Sequence, residues 1–253
     1  MPQASQLVFY RRAKFEILPA IPPTHSVCGM EISVKMSMSE NSRLADNVVV
    51  VEHLYKSFGK ENVLEDINLT IGKGKIFGIV GNNGSGKTVL MKCICGFLRA
   101  DKGRVTVCGK VIGRDCDFPE KLGMIIETPG FLPNVSGYKN LKILAGLRAD
   151  IGKKEILESL ERVGLNPKMR KHVSKYSLGM RQRLGIAQAI MENPDVLVLD
   201  EPFNGLDKTG AEHMRELLKE LKAQGKSILL ASHNAQDIEQ LCDDVHEMED
   251  KWG

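Results

Sequence analysis

The stretch GNNGSGKT, residues 81–88, places three glycines and one lysine between an apolar run and a helical pattern. It fits the spacing G-x-x-x-x-G-K-[ST], which suits the oxygens of a phosphate chain. Gly81, Gly84 and Gly86 permit backbone angles that turn successive N–H groups inward, and they leave room for phosphate. Asn82, Asn83 and Ser85 complete the loop. A helix opening near Lys87 adds its positive end and its unpaired N–H groups. Lys87 is expected to neutralise the β- and γ-phosphates of a nucleoside triphosphate. The Thr88 hydroxyl is expected to ligate Mg²⁺, a hard cation that takes oxygen ligands. A glycine-rich turn with a chance lysine would share the composition, but not the context of a strand before and a helix after.

A phosphate-binding loop needs a second element to hold the metal and activate water. VLVLDEP, residues 196–202, supplies one. Asp200 is expected at the carboxyl end of a buried strand, where open α/β sheets place their ligands. It could hold Mg²⁺ directly or through water. Glu201 could position or deprotonate the attacking water. An acidic pair opening a helix after a strand is the plainer alternative; the pairing with residues 81–88 favours the catalytic reading.

The elements that must carry these groups are legible in outline. VVVVEHLY, residues 48–55, is a β-branched run, and Ile67, Leu69 and Ile71 alternate with polar residues as a half-buried strand does. Gly72 and Gly74 turn the chain into KIFGIV, a short buried strand at 75–80, and TVLMKCICGFL then reads as a helix. Residues 119 to about 192 read as mostly helical. Leu141, Ile143, Leu144 and Leu147 are expected on one face, and Ile156, Leu157, Leu160 and Val163 on another. DVLVLD and SILLAS, at 195–200 and 227–232, read as buried strands. Between them Met214, Leu217, Leu218 and Leu221 mark an amphipathic helix closed by Gly225. Strands apolar throughout and separated by helices predict an α/β fold with a mostly parallel sheet covered on both faces.

Composition narrows the class. The 253 residues are 42% hydrophobic and 26% charged, with a formal charge of +3, so no nucleic-acid partner is expected. Six scattered cysteines form no C-x-x-C pair, and Cys93 and Cys95 read as small apolar residues of a helix in a reducing compartment. No apolar run reaches the roughly 20 residues a bilayer span requires. Arg11-Arg12 is followed by a stretch too short, charged and proline-rich for a signal peptide. Residues 1–46, with Pro19, Pro22 and Pro23, read as a poorly ordered extension, and residues 47–250 as the folded unit. EMEDKWG ends the chain abruptly, so a regulatory tail is expected to be absent.

With these elements placed, YSLGMRQRLGIAQAI at 176–190 resembles the signature segment of ATP-binding-cassette (ABC) ATPases, usually L-S-G-G-Q followed by a helix. Ser177 and Gly179 match; Tyr176, Leu178 and Met180 depart. GLD at 205–207 is similar to the family's D-loop, and SH at 232–233 to its H-loop. The chain is thus identified as resembling ABC transporter nucleotide-binding subunits over residues 48 to about 245. IIETPGFLPNVSGYKNL resembles the bacitracin- and lantibiotic-resistance branch. The resemblance implies a P-loop NTPase (RecA-like) core, a small antiparallel β subdomain and an α-helical signature subdomain at about 119–190. It implies ATP with Mg²⁺, a head-to-tail dimer with a second copy, and a separate membrane permease. The chain would then be cytoplasmic and peripheral on the membrane's inner face. It also implies that Phe58 stacks on adenine, that His233 meets the γ-phosphate and that Asp207 links two sites across the dimer. Ser177 and Gly179 would complete the partner's site.

One departure is chemical. The family usually has a glutamine where Glu127 stands. A carboxylate there could coordinate Mg²⁺, but its charge would repel the γ-phosphate; a solvated loop acid is the alternative. Glu127 to about Tyr138 would pass motion to the permease, with Phe131, Leu132 and Pro133 as contacts or, equally, packed inside the helical subdomain. Against a transport motor stand two rivals: a non-transport ABC protein acting on ribosomes or DNA, and a regulatory ATP-binding module with weak turnover. A single cassette without sustained heptads argues against the first rival; the altered signature and Glu127 leave the second open.

Overall fold

The computed structural model describes residues 46–127, 130–147 and 151–248. Residues 1–45 of the expected loose extension at 1–46, and the chain end after 248, lie outside the described residues. Two sheets organise the rest. Strands β1 (Asn47–Phe58), β2 (Glu61–Gly72), β4 (Lys102–Val107) and β5 (Lys110–Val111) form an antiparallel sheet in the order β2-β1-β4-β5. Strands β3 (Ile76–Val80), β6 (Leu122–Ile125), β7 (Val196–Asp200), β8 (Ser227–Ala231) and β9 (Asp244–Glu247) form a second sheet, order β6-β7-β8-β3-β9, with every pairing parallel.

The parallel sheet divides two apolar clusters by the two-residue period of its strands. Ile76, Leu197, Leu199, Ile228 and Leu230 face one cluster, shared with the helical residues Leu141, Ile156, Leu184 and Leu217. Phe77, Ile79, Val196, Val198, Leu229 and Ala231 face the other, shared with the antiparallel sheet and with Leu90 and Met91. Both faces of β7 and β8 are therefore buried, as their unbroken apolar sequence requires.

The helices are α1 (Lys87–Ile94), α2 (Gly137–Ala145), α3 (Lys153–Arg162), α4 (Leu178–Ile190), α5 (Lys208–Ala223) and α6 (Ala235–Leu241), with a 3₁₀ turn at Val173–Lys175. Several ends carry side-chain caps. Ser136 accepts from the Lys139 N–H, Ser177 from Met180 and Asp207 from Gly210. Gly225, at φ 84, closes α5 as expected: its N–H donates to Lys222 O at 2.8 Å and that of Lys226 to Leu221 O at 3.0 Å.

The structure departs from the sequence reading in three places. Residues 119–192 are not uniformly helical, because Leu122–Ile125 pairs with β7 as the edge of the parallel sheet. Four residues are too few for a period to declare itself. On α2 the inner face is Leu141 with Asn140 and Ala145, while Ile143 is 45% exposed. Asn140 belongs inside because its amide bonds Leu132 N–H and O at 2.7 and 3.1 Å, and Ser136 O at 3.1 Å. The strands β4, β5 and β9 carry no clear strand pattern in the sequence, being short or highly charged.

Cys93 and Cys95 are both buried at the end of α1. Burial pushes the Cys93 thiol up to about 11 and raises Cys95 further. At pH 8 only about one Cys93 in a thousand is thiolate, and the thiolate is the nucleophile. Native protein treated with iodoacetamide at pH 8 is expected to label the exposed Cys108 while both helix cysteines stay unmodified by peptide mass spectrometry. Labelling of Cys93 at the pace of Cys108 would show that α1 opens freely.

Candidate nucleotide site

The chemistry-bearing residues collect at the carboxyl ends of neighbouring parallel strands. The loop 81–86 follows β3, Asp200 and Glu201 end β7, Ser232 and His233 follow β8, and Glu127 lies beyond β6. Sheet order therefore brings together groups more than a hundred residues apart.

Gly81, Gly84 and Gly86 adopt φ of 152, 91 and 96, angles that L side chains rarely adopt. Gly86 also gives α1 no side-chain cap, which leaves the first-turn N–H groups for a ligand. Lys87 is 8% exposed, and its ammonium donates to Gly81 O at 2.6 Å and Asn82 O at 2.8 Å. A cation folded back on two loop carbonyls can exchange them for phosphate oxygens. Among the described residues, Ser85 Oγ is a buried side-chain oxygen with no hydrogen-bond partner, 2.7 Å from where a Cβ on Gly81 would stand. A buried hydroxyl without a partner beside this loop can donate to a phosphate oxygen. Beside the loop runs a cleft of about 600 Å³, lined by Asn82, Asn83, Ser232 and His233 among others. Its far wall is formed by Ile238, Glu239, Val245 and Glu247, so it adjoins the loop rather than enclosing Lys87 and Asp200.

Thr88 Oγ1 donates to Asp200 Oδ2 at 2.8 Å, and Asp200 is 9% exposed. Hydroxyl and carboxylate together offer hard oxygens to a cation that otherwise keeps water and substrate phosphates. Next to them, Nδ1 of His233 lies 2.8 Å from Glu201 Oε2. Glu201 sits at φ 50, a setting that costs a non-glycine residue of order 1–3 kcal/mol. Two backbone contacts hold it there. Its N–H donates to Ala231 O at 2.9 Å, and Gln182 Nε2 on α4 donates to its carbonyl at 3.1 Å. Gln182 belongs to the Arg181-Gln182-Arg183 run that matches the family's usual continuation of the signature, but nothing in its sequence context assigns it this contact.

The other expected residues lie elsewhere. Phe58, at the end of β1, is 48% exposed with Lys56 Nζ 5.5 Å from its ring, so it is not a core aromatic. Ser177 caps α4, and Gly179 lies so close to the loop before α5 that a Cβ there would meet Gly205 O at 2.7 Å. Arg183 lies 3.7 Å from Asp207, so the signature and the GLD turn form one packed unit. Leu178 between them is 53% exposed. Glu127, at φ 59, pairs with Lys92 on α1 at 2.5 Å. The expected repulsion of a free carboxylate is thus offset by a neighbouring cation. Phe131 packs against the helical core, whereas Leu132 and Pro133 are exposed.

A parallel sheet with a phosphate cradle at one strand end and a carboxylate–histidine pair at the next defines a nucleoside triphosphatase. The ABC transporter family model matches residues 64–204, and the chain belongs to that family as an ATP-binding, ATP-hydrolysing cassette. It is 44% identical to the bacitracin transport ATP-binding protein BcrA of Enterococcus faecalis over 202 residues, 79% of this chain and 66% of that protein. It is 37% identical to the lantibiotic transport ATP-binding protein SrtF of Streptococcus pyogenes over 76% of this chain and 83% of the relative. Among solved structures, an ATP-binding subunit of an ABC transporter superposes with a TM-score of 0.72 at 26% identity, covering 80% of this chain and 86% of the other.

Proposed function

We propose that this cassette is the motor of a transporter that exports a peptide antibiotic or similar compound through a separate membrane permease. ATP with Mg²⁺ rests in the loop 81–88, Thr88 and Asp200 hold the cation, and Phe58 stacks on the base. Glu201 acts on the attacking water, with His233 beside it at the γ-phosphate. Ser177 and Gly179 of one copy close the nucleotide site of a second, with Asp207 between the two sites. The observation that carries this reading is the convergence of Lys87, the Thr88–Asp200 bond and the Glu201–His233 contact at one sheet end. The γ-phosphate is then the contact that distinguishes open from closed states, because it is lost on hydrolysis.

No described helix is long and apolar enough to cross a membrane. Leu132 and Pro133, with Ile143 exposed on α2, offer apolar surface for the permease; in this reading the cassette docks there from the cytoplasmic side. Purification of tagged protein from detergent-solubilised membranes is expected to bring down one integral protein, and the complex is expected to hydrolyse ATP faster than the subunit alone. Leu132→Asp should lose that protein while ATP binding in solution stays unchanged. Retention of the partner by Leu132→Asp would move the docking surface elsewhere; a complex with no ATPase stimulation would remove the motor.

A further inference from the structure

His233 is 63% exposed on its side chain, and its Nδ1 lies 2.8 Å from Glu201 Oε2. An imidazole so placed is aimed chiefly by its backbone. That backbone is held on both sides by a buried charge pair that the reaction itself does not use. Asp237, on α6, is 2% exposed, and its Oδ1 accepts from Arg215 Nε at 2.8 Å and from the Arg215 terminal NH₂ at 2.7 Å. Its Oδ2 accepts from the Ser232 hydroxyl at 3.2 Å, and the Ser232 oxygen accepts from the Asn234 N–H at 3.2 Å. Asn234 O in turn accepts from the Asp237 N–H at 3.1 Å. The residue before His233 is thus bonded to the Asp237 carboxylate, and the residue after it to the Ser232 hydroxyl and the Asp237 backbone.

The same guanidinium lies 5.5 Å from the centre of the Phe203 ring. Phe203 belongs to the loop between Glu201 and Asp207. Arg215 therefore touches both halves of the Glu201–His233 pair indirectly, one through Asp237 and Ser232, the other through Phe203. A nearly dry, doubly bonded Arg–Asp pair is strong in geometry and expensive to break, because either partner alone would be a buried charge.

We propose that Arg215 and Asp237 are positioning residues for hydrolysis: they set the angle at which His233 meets Glu201, and they couple that angle to the loop carrying Asp207. This rests on the reading of Glu201 and His233 as the hydrolytic pair. The buried carboxylate fixes the Ser232–Asn234 frame, the frame aims the imidazole, and Phe203 transmits movement of the 201–207 loop to the same guanidinium.

The test compares kcat and KM for ATP in the full chain, with its permease where turnover requires it, alongside the ¹H–¹³C resonance of the His233 imidazole, assigned by its loss in His233→Ala. Asp237→Asn is expected to lower kcat about 10- to 100-fold, with KM changed by no more than about threefold, as misaimed groups do. Asp237→Glu should recover part of the loss. Ser232→Ala, which keeps the charge pair, should lower kcat less and still move the His233 resonance. In a His233→Ala background, Asp237→Asn should cost less than about twofold, because there is nothing left to aim. Losses that multiply fully in the double variant, or an unmoved resonance with unchanged kcat in both Asp237→Asn and Ser232→Ala, would overturn the proposal. If Asp237→Asn does not fold, Ser232→Ala decides by the same two readouts. If the wild type releases no phosphate, the hydrolytic reading fails, and the His233 resonance still reports whether Asp237 aims it.

Discussion

Lys87→Ala is expected to weaken Mg²⁺–ATP binding at least about 100-fold. The lysine is almost fully buried, and its ammonium already spans two carbonyls of the loop it serves. Hydrogen bonds to charged groups are each worth about 1.5–3 kcal/mol, and about 1.4 kcal/mol is tenfold in affinity. Two such contacts exchanged for phosphate oxygens account for two orders of magnitude or more. Titration with a fluorescent ATP analogue reads the effect directly. Because alanine also frees Gly81 O and Asn82 O, the thermal midpoint should be recorded beside it: a folded variant that does not bind locates the loss in the ligand. A folded variant with an unchanged titration would mean that the cradle at 81–88 does not hold the nucleotide.

Glu201→Gln separates binding from chemistry. Glutamine keeps the length of the side chain and can still hydrogen-bond His233 Nδ1, now at 2.8 Å from the carboxylate. Its backbone contacts to Ala231 and Gln182 do not involve the side chain at all. The amide has no proton affinity to offer, so the rate should fall by about 10²–10⁴, the usual contribution of a general base. ATP binding should persist, and with hydrolysis blocked the ATP-bound form should accumulate as a dimer. Sedimentation velocity in Mg²⁺–ATP would show that dimer, and a phosphate-release assay would give the rate. Hydrolysis near the wild-type rate would remove Glu201 from the role of base, whatever the dimer does.

The two variants act on features that differ in how they could be read. The cradle was legible because its chemistry is local: glycine backbone freedom, a helix start and one lysine within eight residues. The buried strands 196–200 and 227–231 were legible because both faces of a parallel strand demand apolar residues, which leaves a continuous run. Helix α5 was legible because its apolar stripe and its closing Gly225 agree. Strand β6 lies inside a region that reads as helical, because four residues of Leu-Gly-Met-Ile carry no period. Ile143 reads as buried by its apolar spacing with Leu141 and Leu144, whereas the polar Asn140 takes the inner face through its three hydrogen bonds.

What the amino-acid order determined unaided was the identity of the phosphate loop and the presence of a carboxylate pair after a buried strand, since each is a property of a few consecutive residues. Which side chains meet was decided by the tertiary structure alone. Thr88 reaches Asp200, Glu201 faces His233, Lys92 holds Glu127 and Arg215 grips Asp237 only because the strands lie in the order β6-β7-β8-β3 and the helices pack on that order. Sheet order arises from the burial of the whole apolar surface, a sum over many residues, and no short stretch of sequence contains that sum.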